Sequence, residues 1–527
     1  MFQVAFGIIV HPGLVFGKVI IIQFNSFKAQ HNFTDDSQCL QQIVADSKGK
    51  GKVRVLFGKQ SYLFEQTVQD MEYKGDLSLE GVKGTKFILM APILILTSFN
   101  DEIKLPEAIA RHSHQLSGVK LPLNTALIKF NSTDIVELAW KYTANDLMAI
   151  DRMDSTTVYF KDSLNFAYQP KATSLIAYQY SRVAFKNIQM VVEKQISQVL
   201  FLKGMVSVFQ NCGLEYHSSD PMITTINLLD NYNIKVCDFR FDGSMHYGFL
   251  INGSRNVHIK NIYSHNVVHP VAPATFTTNV LVEDFYGDNS VIDAHPSFMV
   301  KYKDAIIVNA TDYWNCRAIG VVLENCNFQV SKDAPSQEIY LGVETLSDAY
   351  SYLYDEYDVI CKNVKWETVD KGFNGLHVHK CRDFLVDHCS SHAISTGSPI
   401  RRFEVSNSKT GRVYCADSNF SVCKTEFSAD MQRRGDIQPP LSASYGGTIN
   451  IDRCTFTGYD NVELFKYLQS PDTEVNFNAC VFHDFKGFAR YPLASMAEYK
   501  KIKMDNCKLN AASKKAFNLY PEIRYSE

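Results

Sequence analysis

Nowhere in this 527-residue chain do Lys and Arg gather into a block, and 53 basic residues stand against 56 acidic ones for a net charge of -3. With a sequence pI of about 6.6, that balance excludes a nucleic-acid surface, which needs a basic face to neutralise phosphates. Thirteen cysteines occur, an odd number without paired C-x-x-C spacing. Neither a disulfide framework nor a zinc framework is therefore expected, and no metal or cofactor is expected with them. Long uninterrupted apolar runs are missing too. Residues 1–24 are apolar but broken by His11, Pro12, Gly13 and Lys18, with no basic start and no small-residue cleavage site. They read as strands capping a fold, not as a secretory signal or membrane span. No long heptad region for a trimeric coiled coil is present. Five N-x-S/T sequons begin at Asn32, Asn131, Asn252, Asn309 and Asn419; Asn-rich turns produce them by composition, and no glycosylation is read from them.

What is present is a rhythm. The phrases NYNIKVCDF, SRNVHIKNI, TTNVLVEDF, FMVKYKDAI and GVVLENCNF follow one another between Asn231 and Phe328. Their first inward apolar residues are Ile234, Val257, Val280, Val300 and Val321, at gaps of 23, 23, 20 and 21 residues. Within each phrase apolar and polar side chains alternate over about five residues, the period of a strand with one buried face. A strand-sized repeat of this length is a solenoid, because no coil can bury its apolar side without a neighbour stacked on it. The phrase returns at Val359, Phe384, Phe403, Ile449, Val475 and Ile502, and earlier at Val183. Four residues after each reference stand Asn187, Asp238, Asn261, Asp284, Asp304, Asn325, Asn363, His388, Asn407, Arg453, Ala479 and Asn506. Asn and Asp tolerate left-handed backbone, so this column predicts the bend that ends each strand. Just before it, Lys260, Glu283, Lys303, Glu324, Lys362 and Asp387 alternate in sign, which supports parallel stacking about 4.8 Å apart. Cys326, Cys389, Cys454, Cys480 and Cys507 each follow a reference by five residues and read as a buried column of reduced, small apolar fillers.

At the start, TDDSQCLQQIVADSKGKGKVRVLF gives N-capping side chains at Thr34 to Asp36, a short helix with Leu40, Ile43 and Val44 on its apolar face, and a stop at Gly49 to Gly51. Strands at Val53–Phe57 and Tyr62–Phe64 follow. This opening, with LEGVKGTKFILM at 79–90 as the next coil, resembles that of the pectate-lyase superfamily of right-handed parallel β-helices, common in bacteriophage tailspikes and secreted polysaccharide-degrading enzymes. QHNF stands where the superfamily's Gly-Asp-Gly precedes the TDD. The resemblance implies an all-β fold, a right-handed parallel β-helix of pectin-lyase type with a short N-terminal capping helix. Expected divisions are a cap and first coils over 1–100, a small β-rich insertion over 101–175, the helix over 176–510 and a C-terminal cap over 511–527. The insertion looks like one that tailspike-like members carry early in the solenoid. Residues 331–357, with Tyr340, Tyr350, Tyr352, Tyr354 and Tyr357 among Asp348, Asp355 and Glu356, read as a sugar-recognition loop or equally as a packed surface loop; residues 428–447 read as a second loop.

Histidines and acids gather on the repeat. FDGSMHYGFLING holds Asp242 and His246, YSHNVVHP holds His265 and His269, VIDAHPS holds Asp293 and His295, and GLHVHKC holds His377 and His379, with His392 beyond. Counting back five from the references aligns Asn252, His295 and His379; counting back seven aligns Asp293 and His377. Hydrolysis of a glycosidic bond needs two carboxyl groups, for which Asp242 and Asp293 are the candidates. Elimination at a uronic acid needs a base and a cation against the substrate carboxylate, for which His269 or His295 and Arg317 are the candidates. His246, His265, His377, His379, Tyr350, Tyr352 and Tyr354 are candidate substrate-binding residues. YSHNVVHP and VIDAHPS resemble paired motifs of phage and bacterial β-helix proteins, an Arg-His phrase and a Phe-Asp-Thr-His phrase one coil later; Val268 and Ala294 stand where the Arg and Thr would be. The Asn-Thr-Asp, Asp-Asp and Gly-His-Gly pattern of polygalacturonases and a calcium cluster of pectate-lyase type are not found. The resemblance implies a polysaccharide-degrading enzyme, glycosidase or lyase, on an acidic or capsular polysaccharide, located on a phage tail or outside the cell, with a homotrimer as one assembly. The alternative is a non-catalytic carbohydrate-binding virion or surface adhesin.

Overall fold

A computed structural model describes residues 19–97, 102–122, 124–136, 143–334, 338–343, 353, 355–368, 375–416, 419–432, 436–443, 447–492, 501–517 and 524–525. The repeat stacks in parallel register, with Ile234 beside Val257, then Val280, Val300, Val321, Val359, Phe384 and Phe403. Phe420, whose phrase the periodicity passed over, fills the rung between Phe403 and Ile449, and Val475 and Ile502 complete the column. A second rung that the pattern missed is the strand Val206–Tyr216, which pairs with Ser181–Lys186 on one side and Tyr232–Asn252 on the other. Its reference position is Ser207, fully buried and bonded through its hydroxyl to Asn231 Nδ2 at 3.1 Å. A satisfied hydroxyl replaces the apolar contact there, so hydrophobicity gives no signal.

Every residue of the predicted bend column has a left-handed backbone, with φ between 46° at Asn407 and 57° at Asp238. Amides on successive rungs bond one another there: Asn325 Nδ2 to Asp304 Oδ1 at 2.9 Å, Asn363 to Asn325 at 3.0 Å. The column is backbone geometry first and side-chain preference second, since His388, Arg453 and Ala479 adopt it as well. A residue with a Cβ there costs about 1–2 kcal/mol, and Ala479 offers no side-chain hydrogen bond in return. Ala479→Gly is therefore expected to stabilise the last coils by about 1 kcal/mol; an unchanged or lower denaturation midpoint would contradict that account.

The outward charges pair less regularly than their alternation suggests. Lys303 reaches Glu283 at 3.4 Å as expected, but Lys260 goes diagonally to Asp284 at 3.5 Å and Glu324 takes Lys301 at 2.5 Å. Long lysine stems span neighbouring positions, so register does not fix the partner. All thirteen cysteines are free; Cys326, Cys389, Cys454 and Cys480 are buried, and Cys507, on the last long rung, is only half-buried.

Both ends are closed by helices. Ile20–Gln23 is a strand paired with Val53–Leu56, and the rest of the opening differs from expectation, with a helix at Phe24–Gln30; residues 1–18 lie outside the described residues. The predicted helix spans Asp36–Ser47, capped by Asp35, whose carboxylate accepts from Ser37 N at 2.6 Å, and buries Leu40, Ile43 and Val44 over the first coils. At the other end Ala511–Phe517 is helical and buries Phe517. No helix among the described residues is long and apolar enough to cross a membrane.

Between Ile103 and Gln179 the chain leaves the solenoid to form an antiparallel six-stranded sheet. Its core docks on the helix through Phe166, which meets Phe276 and Phe298 at centroid distances of 5.2 and 5.3 Å. The polar part of the joint centres on Asp146, 1% exposed, which accepts from Asn165 N and Nδ2, Phe166 N and Tyr168 OH at 2.8–3.2 Å. Arg255 of the solenoid lies 3.7 Å away. Burial pushes the Asp146 carboxyl up to about 6, against the pull of Arg255 and these donors.

Candidate functional site

Each coil turns through a second and a third strand before the next rung; Asp242 and His265 fall on the second, and His246, His269, Asp293, His295 and Arg317 on the third. Gly243 makes the turn possible: its φ is +123°, and a Cβ there would sit 2.2 Å from Tyr216 O. Beyond it Tyr247 pairs with His269 on the next coil. Asp293 heads the third strand of a later coil and pairs with Asn315, which pairs with Tyr340, and that with His377. Counting back seven thus placed Asp293 and His377 in one true column. Counting back five failed for Asn252, which pairs with Ala274 and accepts from the Thr275 hydroxyl at 3.0 Å.

Side chains from three coils converge around Asp293. His269 Nδ1 lies 3.7 Å from Asp293 Oδ2 and His295 Nε2 lies 3.4 Å from the same oxygen. Asp293 is 1% exposed, and neither its Oδ2 nor His269 Nδ1 has a hydrogen-bond partner. His246 meets the His269 ring edge-on at 4.9 Å, while Tyr247 stacks on it at 5.2 Å. Asp312, which the sequence reading passed over, completes the group: one ligand atom each from His246, His269 and Asp312 lie within 4.8 Å of one another, so this set could hold a metal ion. Burial first, and then the neighbouring His269, hold the His246 imidazole below its usual value, against the opposing pull of Asp312 and Asp293. Between Ala294 and Ser297 the ladder slips, so that His295 and Pro296 face the single residue Arg317. A two-for-one bulge of this kind re-aims side chains.

Asp242 and His265 form a different group. Asp242 bonds His265 Nδ1 at 3.0 Å and Arg240 at 3.2 Å, and His265 Nε2 lies 3.9 Å from Asp288. Burial would raise the Asp242 carboxyl, but the bonds from His265 and Arg240 outweigh it and hold the carboxyl below its usual value. The structure does not set Asp242 against Asp293. Further down the column Tyr340 stacks on His379 at 5.1 Å, and His377 meets His379 edge-on at 4.9 Å and bonds Ser395 Oγ at 2.8 Å. Tyr340 belongs to the strand Ile339–Leu341 and not to a loop. Tyr350, Tyr352 and Tyr354 lie outside the described residues.

The same face continues through Ser395, Tyr414 and Ser442, which pair in turn, to Lys466, Tyr467, Arg490 and Tyr491 on the strands Glu463–Leu468 and Gly487–Pro492. Tyr467 and Tyr491 stack at 5.5 Å, and Lys466 Nζ lies 5.8 Å from the Tyr414 ring centre and 5.4 Å from that of Tyr467. Burial, and then Arg412 and Arg490, push the Lys466 ammonium below its usual value. One signal could have found these residues, the alternation of rings and cations with inward apolar residues in ELFKYL and GFARYP.

No family model matches the chain, and no curated protein matches it by sequence. Among solved structures, the tailspike gp61 of Pseudomonas phage phi297 superposes with a TM-score of 0.50 at 10% identity, over 93% of this chain and 76% of that one. The chain has the right-handed parallel β-helix fold of the tailspikes. Other tailspikes align over a similar span: gp49 of Pseudomonas phage LKA1 at 10% identity (90% of this chain, 74% of that, TM-score 0.47), and Gp54 of Acinetobacter baumannii bacteriophage AP22 at 9% (96% and 79%, TM-score 0.46), the latter solved with a capsular saccharide of its host. On this β-helix the His269–Asp293 group sits at one end of a lateral face whose other end carries the stacked tyrosines and their cations.

Proposed function

We propose that the protein binds an acidic polysaccharide along this lateral face and cleaves it by elimination at the His269–Asp293 group, as a tailspike-like depolymerase or a secreted enzyme. The observation that carries the reading is the column itself: Asp293, Asn315, Tyr340, His377, Ser395, Tyr414 and Ser442 in unbroken register. Rungs about 4.8 Å apart offer an extended sugar chain rings for its apolar faces and polar groups for its hydroxyls, while Lys466 and Arg490 attract its carboxylates.

The chemistry follows from burial. Hydrolysis needs two carboxyl groups that both reach the glycosidic bond or its attacking water. Asp293 is 1% exposed and Asp242 is committed to His265 and Arg240, which favours elimination. In that reaction Asp293 orients His269 through Nδ1, the outer nitrogen of His269 takes the proton at C5 of a uronate, the C5–H electron pair forms the C4–C5 double bond, and the C4–oxygen bond breaks with its pair on the glycosidic oxygen, which takes a proton from water. Arg317 supplies positive charge for the substrate carboxylate.

Incubation with a panel of acidic capsular and plant polysaccharides tests this reading, with reducing ends and the ultraviolet absorbance of unsaturated uronate followed together. Both rise if the reading holds. Reducing ends rising alone would replace elimination by hydrolysis; retention of a polymer with neither signal would replace the enzyme by an adhesin.

A further inference from the structure

The geometry points to a binding site for one divalent transition-metal ion, of the zinc or cobalt class, formed by His246, His269 and Asp312, with Asp293 as the carboxylate that orients His269. Two imidazoles and a carboxylate from different coils bring ligand atoms within 4.8 Å of one another. Donors of two nitrogens and one oxygen suit zinc, cobalt or nickel, whereas calcium and magnesium take oxygen shells. Zinc bonds of about 2.0–2.2 Å need donors somewhat closer together than this. Asp312 can supply the adjustment, because it stands beyond the end of the strand Asp293–Ala310, where its carboxylate accepts from Tyr313 N at 2.6 Å.

The second observation is independent of the donor set. Asp293, 1% exposed, holds an oxygen without a hydrogen bond 3.7 Å from His269 Nδ1, itself buried and without one, and 3.4 Å from His295 Nε2. A buried polar atom left in this condition calls for a missing ion or water. Metal-bound histidines donate their other ring nitrogen to a carboxylate, which fixes the tautomer and raises the basicity of the ligating nitrogen. With a cation on the outer nitrogen of His269, Nδ1 carries the hydrogen and Asp293 is the acceptor already in place.

One consequence rests on the proposed elimination: the lone pair on the outer nitrogen of His269 cannot hold a cation and accept a proton together, so the bound ion inhibits cleavage. The site itself is tested without any polymer. Chelator-treated full-length protein is titrated with Co²⁺ and followed by visible absorption and calorimetry. One ion per chain is expected, with His246→Ala and Asp312→Ala each abolishing the visible bands. Asp293→Asn is expected to weaken binding by about 10–100-fold. His377→Ala, on a separate histidine cluster, controls for incidental binding and should leave the Co²⁺ titration unchanged. His246→Gln, closer in size, replaces any alanine variant whose circular dichroism shows it misfolded. Absence of saturable Co²⁺ binding, or binding that survives both His246→Ala and Asp312→Ala, overturns the site. Cobalt binding, with no cleavage of any polymer by the metal-free protein, would overturn the enzymatic reading and leave the metal site standing, and cleavage without cobalt binding would do the reverse.

Discussion

Changing His269 to alanine is expected to lower the rate of polymer cleavage by about 10²–10⁴-fold, the contribution of one positioned acid–base group, while the polymer is still retained by the Tyr340–Tyr491 face. Retention and rate are separable because His269 lies at one end of that face and the rings and cations lie along the rest of it. Asp293→Asn should move the rate in the same direction for a different reason. An amide can donate to Nδ1, which favours the tautomer with its hydrogen on the outer nitrogen and removes the lone pair that takes the proton. Initial rates and affinity electrophoresis on both variants check this. A His269→Ala protein that cleaves at the parent rate would remove His269 from the chemistry. If Asp242→Asn were then the variant that failed, the reaction would move to the separate Asp242–His265 group.

The second large effect concerns the joint beneath the site. Asp146→Ala removes the acceptor of four hydrogen bonds, of which Asn165 Nδ2 keeps a second partner in Thr278 Oγ1, and takes from Arg255, 4% exposed, its fully buried carboxylate while Asp162 remains at 3.4 Å. Breaking one partner of a buried pair costs about 3–5 kcal/mol, so urea unfolding followed by fluorescence should show the inserted sheet released at a markedly lower midpoint. The joint also supports the site: Phe166 packs on Phe276 and Phe298, and Phe276 N donates to Pro296 O, next to His295. Loosening it should therefore lower activity without touching a site residue. A double variant, Asp146→Leu with Arg255→Met, should recover only the part of the loss due to the buried charge of Arg255, because the backbone donors of Asn165 and Phe166 still lose Asp146 as their acceptor. If Asp146→Ala unfolds at the parent midpoint, the joint is held by its aromatic contacts alone.

The solenoid was legible because it is written in local, periodic terms. Inward apolar residues, the Asn and Asp bends and the capped N-terminal helix each depend on a few neighbouring positions, and each stands where the sequence placed it. The two rungs missed, at Ser207 and Phe420, lack that local signature: one is buried by a hydrogen bond instead of hydrophobicity, and the other follows its neighbour after only 17 residues and precedes the next by 29.

The site was legible only in pieces. His246, His269, Asp293 and His295 were singled out by residue type, but type could not say that Asp242 would sit apart, that Asp312 would join, or that Tyr340 was a strand residue. Apart from the coil that carries the inserted sheet, coil length varies from 17 residues between Phe403 and Phe420 to 38 between Val321 and Val359, so positions counted from the first strand of a coil drift by the time the third is reached. The slip between Ala294 and Ser297 adds another residue of drift, enough to reverse which side chains face outward. Sequence alone determined the period, the buried column and the bends, because stacking repeats one local pattern. Tertiary structure decided which side chains meet on the third strand, because that depends on loop lengths and a bulge that no local pattern records.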